Sequence, residues 1–170
     1  PVRSEIFEKR SVVYDKPMIY ITGGSTGSHA INESLKDILT DLLEKYIVIH
    51  QTGNSLEFND YEKAIEFRKS LPDQLSKNYT VEQFFPPDKV SQFIQSSSLV
   101  IGRSGINTIY EMMIHNAVAL LIPLPIGQMN EQKDNAIFFK KIGLGDFIEQ
   151  KDLTRETFLA TIHAMIKENK

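Results

Sequence analysis

The sequence predicts an α/β fold in which helices cover both faces of a doubly wound, six-stranded parallel sheet. Short apolar runs that are typical of strands alternate along the chain with segments whose apolar residues recur at helical spacing. The apolar runs are continuous rather than alternating, which indicates strands buried on both faces. Because helices connect consecutive strands, the strands are expected to be parallel.

The elements follow one another in a regular order. Residues 1–16 are charged and lack an amphipathic period, so we predict a linker there and a single domain over 17–170. Strands are predicted at 18–22, 46–50, 79–85, 99–102, 117–122 and 146–149. Helices are predicted at 30–43, 57–70, 88–95, 107–115, 133–142 and 154–167. Glycine or proline stands at most of the boundaries, as expected for segments that end there.

Composition excludes several classes of protein. The 170 residues include no Cys, which excludes a disulfide scaffold, a cysteine nucleophile and Cys-ligated zinc or iron–sulfur centres. The formal net charge of −3 argues against a nucleic-acid-binding protein. The longest apolar run, 117–126, is too short to span a bilayer and contains two prolines. Because the chain opens on Pro1 without Met or a signal peptide, we expect it to be part of a longer protein.

A ligand site is expected at the carboxyl ends of the strands, and the loops after strands one, three, four and five carry unusual residues. The first loop, 23–28, contains Gly24 and Gly27, which permit positive φ angles and the close approach of a ligand. The helix after it offers N–H groups that suit a phosphate. A tight strand-to-helix turn explains the same glycines equally well.

Three familiar motifs fail on detail. A dinucleotide fold requires G-x-G-x-x-G and an acidic residue at the end of strand two, but the loop here is G-G-x-x-G and the strand ends His50-Gln51-Thr52. The chain has no Gly-Lys pair for a P-loop. The segment 102–106 places Ile where a hydrolase elbow needs its last Gly.

The loops after strands four and five carry polar candidates. Ser104 is a natural N-cap that could also face an anion, and Glu111 follows two turns later on the same helix face. Glu111 is either an ordinary solvated residue or a carboxylate that binds two vicinal hydroxyls of a ribose. After strand five, amide side chains cluster in a way that suits sugar hydroxyls, at Gln128, Asn130, Gln132 and Asn135.

Taken together, these motifs resemble the C-terminal, donor-binding half of a family 28 glycosyltransferase of the GT-B fold. The resemblance covers nearly the whole chain and depends on the order of six segments rather than on any one of them. They are Pro1-Val2-Arg3, Gly23-Gly24-Ser25-x-Gly27, His50-Gln51-Thr52-Gly53, Phe84-Phe85, Arg103-Ser104-Gly105-x-x-Thr108-x-x-Glu111 and Pro123-Leu124-Pro125 with Gln132-x-x-Asn135-Ala136. The fold it implies is the Rossmann-like half of GT-B.

The resemblance also implies roles at the nucleotide end of the site. Ser25 and the backbone from Gly24 to Gly27 would contact the diphosphate of a UDP-sugar, and Arg3 would approach it from the linker. Phe85 would flank the uracil, with its main chain reading the base edge. Glu111 would bind the ribose hydroxyls.

At the sugar end, Ser104, Gly105 and Ile106 would lie under the sugar and phosphates, while Gln132 and Asn135 would bind the hexose hydroxyls. The chain departs from the family pattern at Glu131, where His or Gln is usual, and at 127–130. It departs again after Phe85, where two prolines replace the usual acidic pair.

The function implied is donor binding in an inverting, metal-independent hexosyl transfer from a UDP-sugar, with UDP-N-acetylglucosamine expected, to a lipid-linked acceptor of peptidoglycan synthesis. The resemblance assigns the acceptor site and general base to an N-terminal domain that these residues lack, so no catalytic residue, metal ligand or cofactor is predicted here. It places the full-length enzyme in the cytoplasm, peripheral to the membrane. Two alternatives remain open: a natural single-domain subunit that needs a membrane partner, and a non-catalytic nucleotide-binding module.

Overall fold

The computed structural model describes residues 15–24, 26–54, 57–125 and 130–168. Over these residues the chain forms six strands, eight α-helices and a 3₁₀ turn at Gln150–Asp152. The strands are β1 (Met18–Thr22), β2 (Ile47–Gln51), β3 (Tyr79–Glu82), β4 (Leu99–Gly102), β5 (Ala119–Leu121) and β6 (Gly145–Phe147). The helices are α1 (His29–Lys36), α2 (Leu39–Lys45), α3 (Asp60–Ser70), α4 (Asp73–Ser76), α5 (Pro87–Ser96), α6 (Ile106–Ile114), α7 (Glu131–Lys141) and α8 (Arg155–Glu168).

The strands form one sheet in the order β3-β2-β1-β4-β5-β6, with every pair parallel, which confirms the predicted fold class. The chain winds outward from β1 to β3 on one side and from β4 to β6 on the other. The strand order therefore reverses between β1 and β4, where Thr22 is in register with Gly102. This is the position at which open α/β sheets bind their ligands.

Two apolar layers hold the sheet between the helices. Ile19 and Ile21 of β1 lie in the cluster that includes residues of α1, α2 and α8. Tyr20, between them, lies in the opposite cluster with residues of α5, α6 and α7. All three side chains are fully buried. The alternation of a strand's side chains thus fills both layers, as the continuous apolar runs predict.

The structure corrects the predicted helix pattern in two places. The predicted helix 30–43 is two helices, because the chain turns at Asp37 and Ile38 and buries Ile38 completely. The predicted helix 57–70 begins only at Asp60, since Asn59 has a left-handed backbone conformation (φ 51°) that a helix cannot include. The short helix α4 and the early end of β3 were not predicted. None of the described helices combines the length and the apolar character that crossing a bilayer requires.

Candidate functional site

An open cleft of ≈ 390 Å³ lies at the carboxyl ends of the central strands. The end of β1, Gln51 of β2, the segment after β3 and the start of α6 contribute its walls. Most of the predicted site residues that the structure describes line it: Gly24, Gly27, Phe85, Gly105, Ile106, Glu111 and Gln132. Arg3 and Ser25 lie outside the described residues. The fold therefore gathers loops that are far apart in sequence into one place, while the contacts predicted for each residue remain predictions.

The glycine loop between β1 and α1 uses its own N–H groups to hold its shape. The N–H of Gly24 donates to Thr22 Oγ1 over 3.1 Å, and the N–H of Gly27 donates to the Gly24 carbonyl over 3.3 Å. Both glycines have positive φ angles, 79° and 78°. The Ser28 hydroxyl then caps α1 by accepting from the N–H of Ile31. The described residues of the loop thus form a hydrogen-bonded turn on the cleft wall.

A second loop packs directly against this turn. Gly53, after β2, has a φ of 74°, and a Cβ added there would overlap the backbone of Gly27. A Cβ added to Gly27 would overlap the carbonyl oxygen of Thr52. Only glycine fits at both positions, because the two backbones touch and each has a left-handed conformation.

Ser104 does not cap α6, contrary to the prediction. The N-cap is Gly105, and within the described residues no side chain caps the first turn of this helix. Ser104 is fully buried and its Oγ donates to the Gln132 carbonyl over 2.6 Å. Gly105 and Ile106 line the cleft instead. The start of α6 therefore presents N–H groups to the cleft without a serine hydroxyl in front of them, which suits an anion.

The two amides predicted to bind the hexose differ in position. Gln132 lines the cleft, and its Oε1 accepts from the N–H of Leu124 over 3.2 Å. Asn135 lies outside the residues that line the cleft, and its Nδ2 donates to the carbonyl of Ser104 over 2.9 Å. Asn135 therefore joins α7 to the start of α6 in this structure, and its contact with a hexose remains a prediction.

Arg103 is a cleft residue that the sequence analysis did not select as a site residue. Its Nη1 donates to the carbonyls of Ile122 and Pro123 over 2.9 and 3.2 Å, and its Nη2 to Gln150 Oε1 over 2.7 Å. Burial lowers the pKa of Arg103 to about 10, so the guanidinium remains charged at neutral pH. All three acceptors are neutral, and a positive charge among neutral oxygens beside the start of α6 favours a bound anion.

Gln51 and Thr22 are two further cleft residues that were missed. Gln51 Oε1 accepts from the N–H of Phe85 over 3.0 Å, and its Nε2 donates to Thr22 Oγ1 over 3.3 Å. Gln51 is the last residue of β2, whereas the candidate loops expected from the sequence follow strands one, three, four and five. Because the N–H of Phe85 already donates to Gln51, the main-chain group of Phe85 that could read a base is its carbonyl.

Aromatic rings border the same side of the cleft. The ring of Phe85 packs edge-on against Phe93, with centroids 5.0 Å apart. Phe84, by contrast, keeps 47% of its surface exposed while lining the cleft. Phe84 is therefore the more available ring for stacking on a base, whereas the resemblance implies that Phe85 flanks the uracil and reads its edge with the main chain.

A buried polar network lies behind the two glycine loops. His50 is 2% exposed within β2. Its Nδ1 lies 2.8 Å from the Tyr79 hydroxyl and its Nε2 3.0 Å from Asn32 Oδ1. Asn32 in turn donates to the Thr52 carbonyl and to Asp60 Oδ2, over 3.2 and 2.8 Å. The network thereby fixes the position of the loop that carries Gly53.

Within the described residues, one group of side chains has the geometry of a metal-ligand set, and it lies outside the cleft. Ligand atoms of His29, Glu33 and Asp60 lie within 4.8 Å of one another. These side chains are already engaged with protein partners, since His29 Nδ1 bonds Asp60 Oδ1 over 2.9 Å and Glu33 pairs with Lys63 at 3.9 Å. These contacts stabilise the junction of α1 and α3.

Comparison with known proteins identifies relatives over nearly the whole chain. Residues 18–170 match the family model described as glycosyltransferase family 28 C-terminal domain. A UDP-N-acetylglucosamine–N-acetylmuramyl-(pentapeptide) pyrophosphoryl-undecaprenol N-acetylglucosamine transferase of Pelagibacter ubique is 31% identical over 163 residues, which cover 93% of this chain. The protein of the same name from Clostridium novyi is 30% identical over 99% of this chain. The aligned part is only 43% and 46% of those two proteins, so the chain spans less than half of each.

Solved structures share the fold. MurG of Acinetobacter baumannii superposes with a TM-score of 0.72 at 27% identity, over 92% of this chain and 45% of that one. The solution structure of ALG13 superposes with a TM-score of 0.61 at 15% identity, over 91% of this chain and 87% of that one. The second likeness shows the fold alone.

Proposed function

Because the chain belongs to glycosyltransferase family 28, with that family's C-terminal domain at residues 18–170, we propose that it binds the nucleotide-sugar donor of a hexosyltransferase. The proposed donor is UDP-N-acetylglucosamine, and the proposed acceptor of the whole enzyme is lipid-linked. The names of the relatives support this donor and acceptor. The arrangement of the cleft supports a nucleoside diphosphate independently of those names.

The observation that carries the proposal is the meeting of three kinds of group in one cleft. The open first turn of α6 and the Arg103 guanidinium supply positive potential for a diphosphate. Glu111, farther along α6, lines the same cleft and supplies a carboxylate that can accept from the hydroxyls of a ribose. Phe84 supplies an exposed ring for a base. A nucleoside diphosphate presents an anion, a diol and a base, which are the partners that these three groups would bind.

The chemistry proposed for this half is stabilisation of the leaving group. In an inverting transfer, the acceptor hydroxyl attacks the anomeric carbon, the bond from that carbon to the diphosphate oxygen breaks, and UDP leaves with the electron pair. Hydrogen-bond donors and positive charge at the diphosphate lower the barrier because negative charge develops there. This chain spans 43% of the Pelagibacter relative. We assign the base that accepts the hydroxyl proton to the remaining part of the enzyme.

The predicted roles of Arg3 and Ser25 at the diphosphate, and the cytoplasmic, membrane-peripheral location of the full-length enzyme, belong to the same proposal. The other half of the enzyme would bind the lipid-linked acceptor. With only the donor half present, we expect binding without transfer.

Calorimetry with the 170-residue chain tests the proposal. We expect heats of binding with UDP and UDP-N-acetylglucosamine, and weaker binding of UDP-glucose and of TDP, because TDP lacks the 2′-hydroxyl that the carboxylate of Glu111 would bind. Equal heats with all four ligands, or none with any, would contradict donor binding. Tight binding of UDP without a sugar preference would favour the nucleotide-binding module.

A further inference from the structure

Gln51 joins the two ends of the cleft through hydrogen bonds that involve its whole amide. Thr22 and Gln51 are register partners at the ends of β1 and β2, so their side chains are neighbours on one side of the sheet. Both residues are buried, at 7% and 8% exposure, yet both line the cleft. The two side chains therefore form part of the floor of the cleft, at the carboxyl ends of β1 and β2.

The orientation of the Gln51 amide follows from its partners. The N–H of Phe85 can only donate, so the amide atom 3.0 Å away must be the oxygen. Nε2 then faces Thr22 Oγ1, which also accepts from the N–H of Gly24 over 3.1 Å. A flipped amide would place N–H against N–H. The contacts thus form one unbroken path from the backbone at Phe85 to the backbone at Gly24.

We propose that Gln51 is a positioning residue that couples the base end of the site at Phe85 to the diphosphate loop at Gly24 through the Thr22 hydroxyl. The proposal rests on the function proposed above and adds a residue pair to it. A base held against the segment after β3 fixes Phe85, Phe85 fixes the Gln51 amide, and the amide with Thr22 holds the N–H of Gly24. Binding of the base thus orders the loop at Gly24 before the diphosphate binds, so the diphosphate bears less of the entropic cost of ordering that loop.

The measurable quantity is the gain in affinity from uridine to UDP, which is the ratio of the two Kd values for one variant. Thr22→Val removes the hydroxyl and leaves the contact of Gln51 with Phe85, so uridine should bind as in the parent chain while the gain falls about 2- to 10-fold, the effect of one neutral hydrogen bond. Gln51→Met should lower both the affinity for uridine and the gain. The double variant should have the same gain as Thr22→Val, because without the Thr22 hydroxyl Gln51 has no remaining contact through which to act on Gly24.

Two further variants separate positioning from general damage. Thr22→Ser keeps the hydroxyl and should restore the parent gain. Gln74→Met makes the same chemical change at an exposed position of α4 and should leave both affinities unchanged. The unfolding midpoint of each free variant shows that it is folded at the temperature of the titrations.

Two results would overturn parts of this picture separately. If Thr22→Val and Gln51→Met keep the parent gain, Gln51 only supports Phe85 and the coupling is wrong. If the parent chain binds neither uridine nor UDP, the proposed function fails first and the coupling fails with it.

Discussion

Nε2 of His50 lies 3.0 Å from Oδ1 of Asn32, and this contact determines the protonation of the imidazole. Asn32 uses its Nδ2 to donate to Thr52 and Asp60, so its Oδ1 must accept. His50 Nε2 therefore carries the hydrogen, and Nδ1 accepts from the hydroxyl of Tyr79. The buried imidazole is neutral, and its network supports the loop that packs on Gly27.

Stability is expected to fall between neutral and mildly acidic pH because of this neutral histidine. Burial lowers the pKa of His50 from 6.5 to about 4. Between these values the unfolded chain binds the proton and the folded chain does not, so the free energy of unfolding drops as the pH falls from about 6.5 to about 4. The drop is about 3 kcal/mol, and below that range this group adds no further change.

Urea unfolding at several values between pH 7.5 and pH 4.5, roughly the range over which an unfolded histidine titrates, measures the effect. His50→Phe should be less stable at neutral pH, because Asn32 and Tyr79 lose a partner, but its pH dependence should be flatter. A His50→Phe variant with the slope of the parent chain would assign the pH dependence to other groups.

Gly53→Ala should destabilise the domain more than Gly143→Ala does. Both glycines have positive φ angles, 74° and 78°, so both variants bear the cost of about 1–2 kcal/mol for a left-handed alanine. The alanine at Gly143 meets open space, while the one at Gly53 meets the backbone of Gly27. Overpacking against backbone adds about 1–3 kcal/mol. Urea midpoints of the two variants measure this difference, and equal losses would contradict the close approach of the two loops.

Arg103→Met should cost both stability and anion binding. Methionine keeps the apolar stem but leaves the carbonyls of Ile122 and Pro123 without a donor, at about 1–3 kcal/mol for each buried group left unpaired. The matched control is Arg155→Met, which removes an exposed ion pair with Asp41 and should cost under about 1 kcal/mol.

Titration with UDP at low and high salt completes the comparison. Loss of the Arg103 charge should weaken binding and reduce its salt dependence, because one fewer charge attracts the diphosphate. Arg155→Met should leave both unchanged. A parent-like affinity for UDP in Arg103→Met would limit this arginine to holding the loops together.

The strands and their parallel arrangement could be predicted because burial on both faces leaves a direct trace in the sequence. The turn at Ile38 left none, since Leu35, Leu39 and Leu42 keep helical spacing across it and Ile38 itself fits the apolar pattern. What decides the break is the burial of Ile38 against the sheet. That is a property of the packed domain rather than of the local pattern.

The candidate site was predictable where a loop directly follows a strand that carries the cleft, as at Gly24 and Gly105. Gln51 was not predicted as a site residue. Only the strand order shows that β2 lies beside β1, which brings the carboxyl end of β2 to the cleft. The residue type of Ser104 predicts a helix cap, whereas its hydroxyl donates to the carbonyl of Gln132 on α7. Contacts between elements distant in sequence decided both cases.

Glu111 should discriminate between UDP and 2′-deoxy-UDP if its carboxylate binds the ribose. It lines the cleft from α6, half-buried, two turns after Ser104. Glu111→Ala should lower the affinity for UDP by about 1–3 kcal/mol, since hydrogen bonds to a charged group are lost. The parent chain should prefer UDP over 2′-deoxy-UDP, and the variant should lose most of that preference.

Glu62→Ala, at an exposed position of α3, is the control for removal of a negative charge from a helix. If Glu111→Ala weakens both nucleotides equally, the carboxylate acts on the shape of the cleft and not on the ribose.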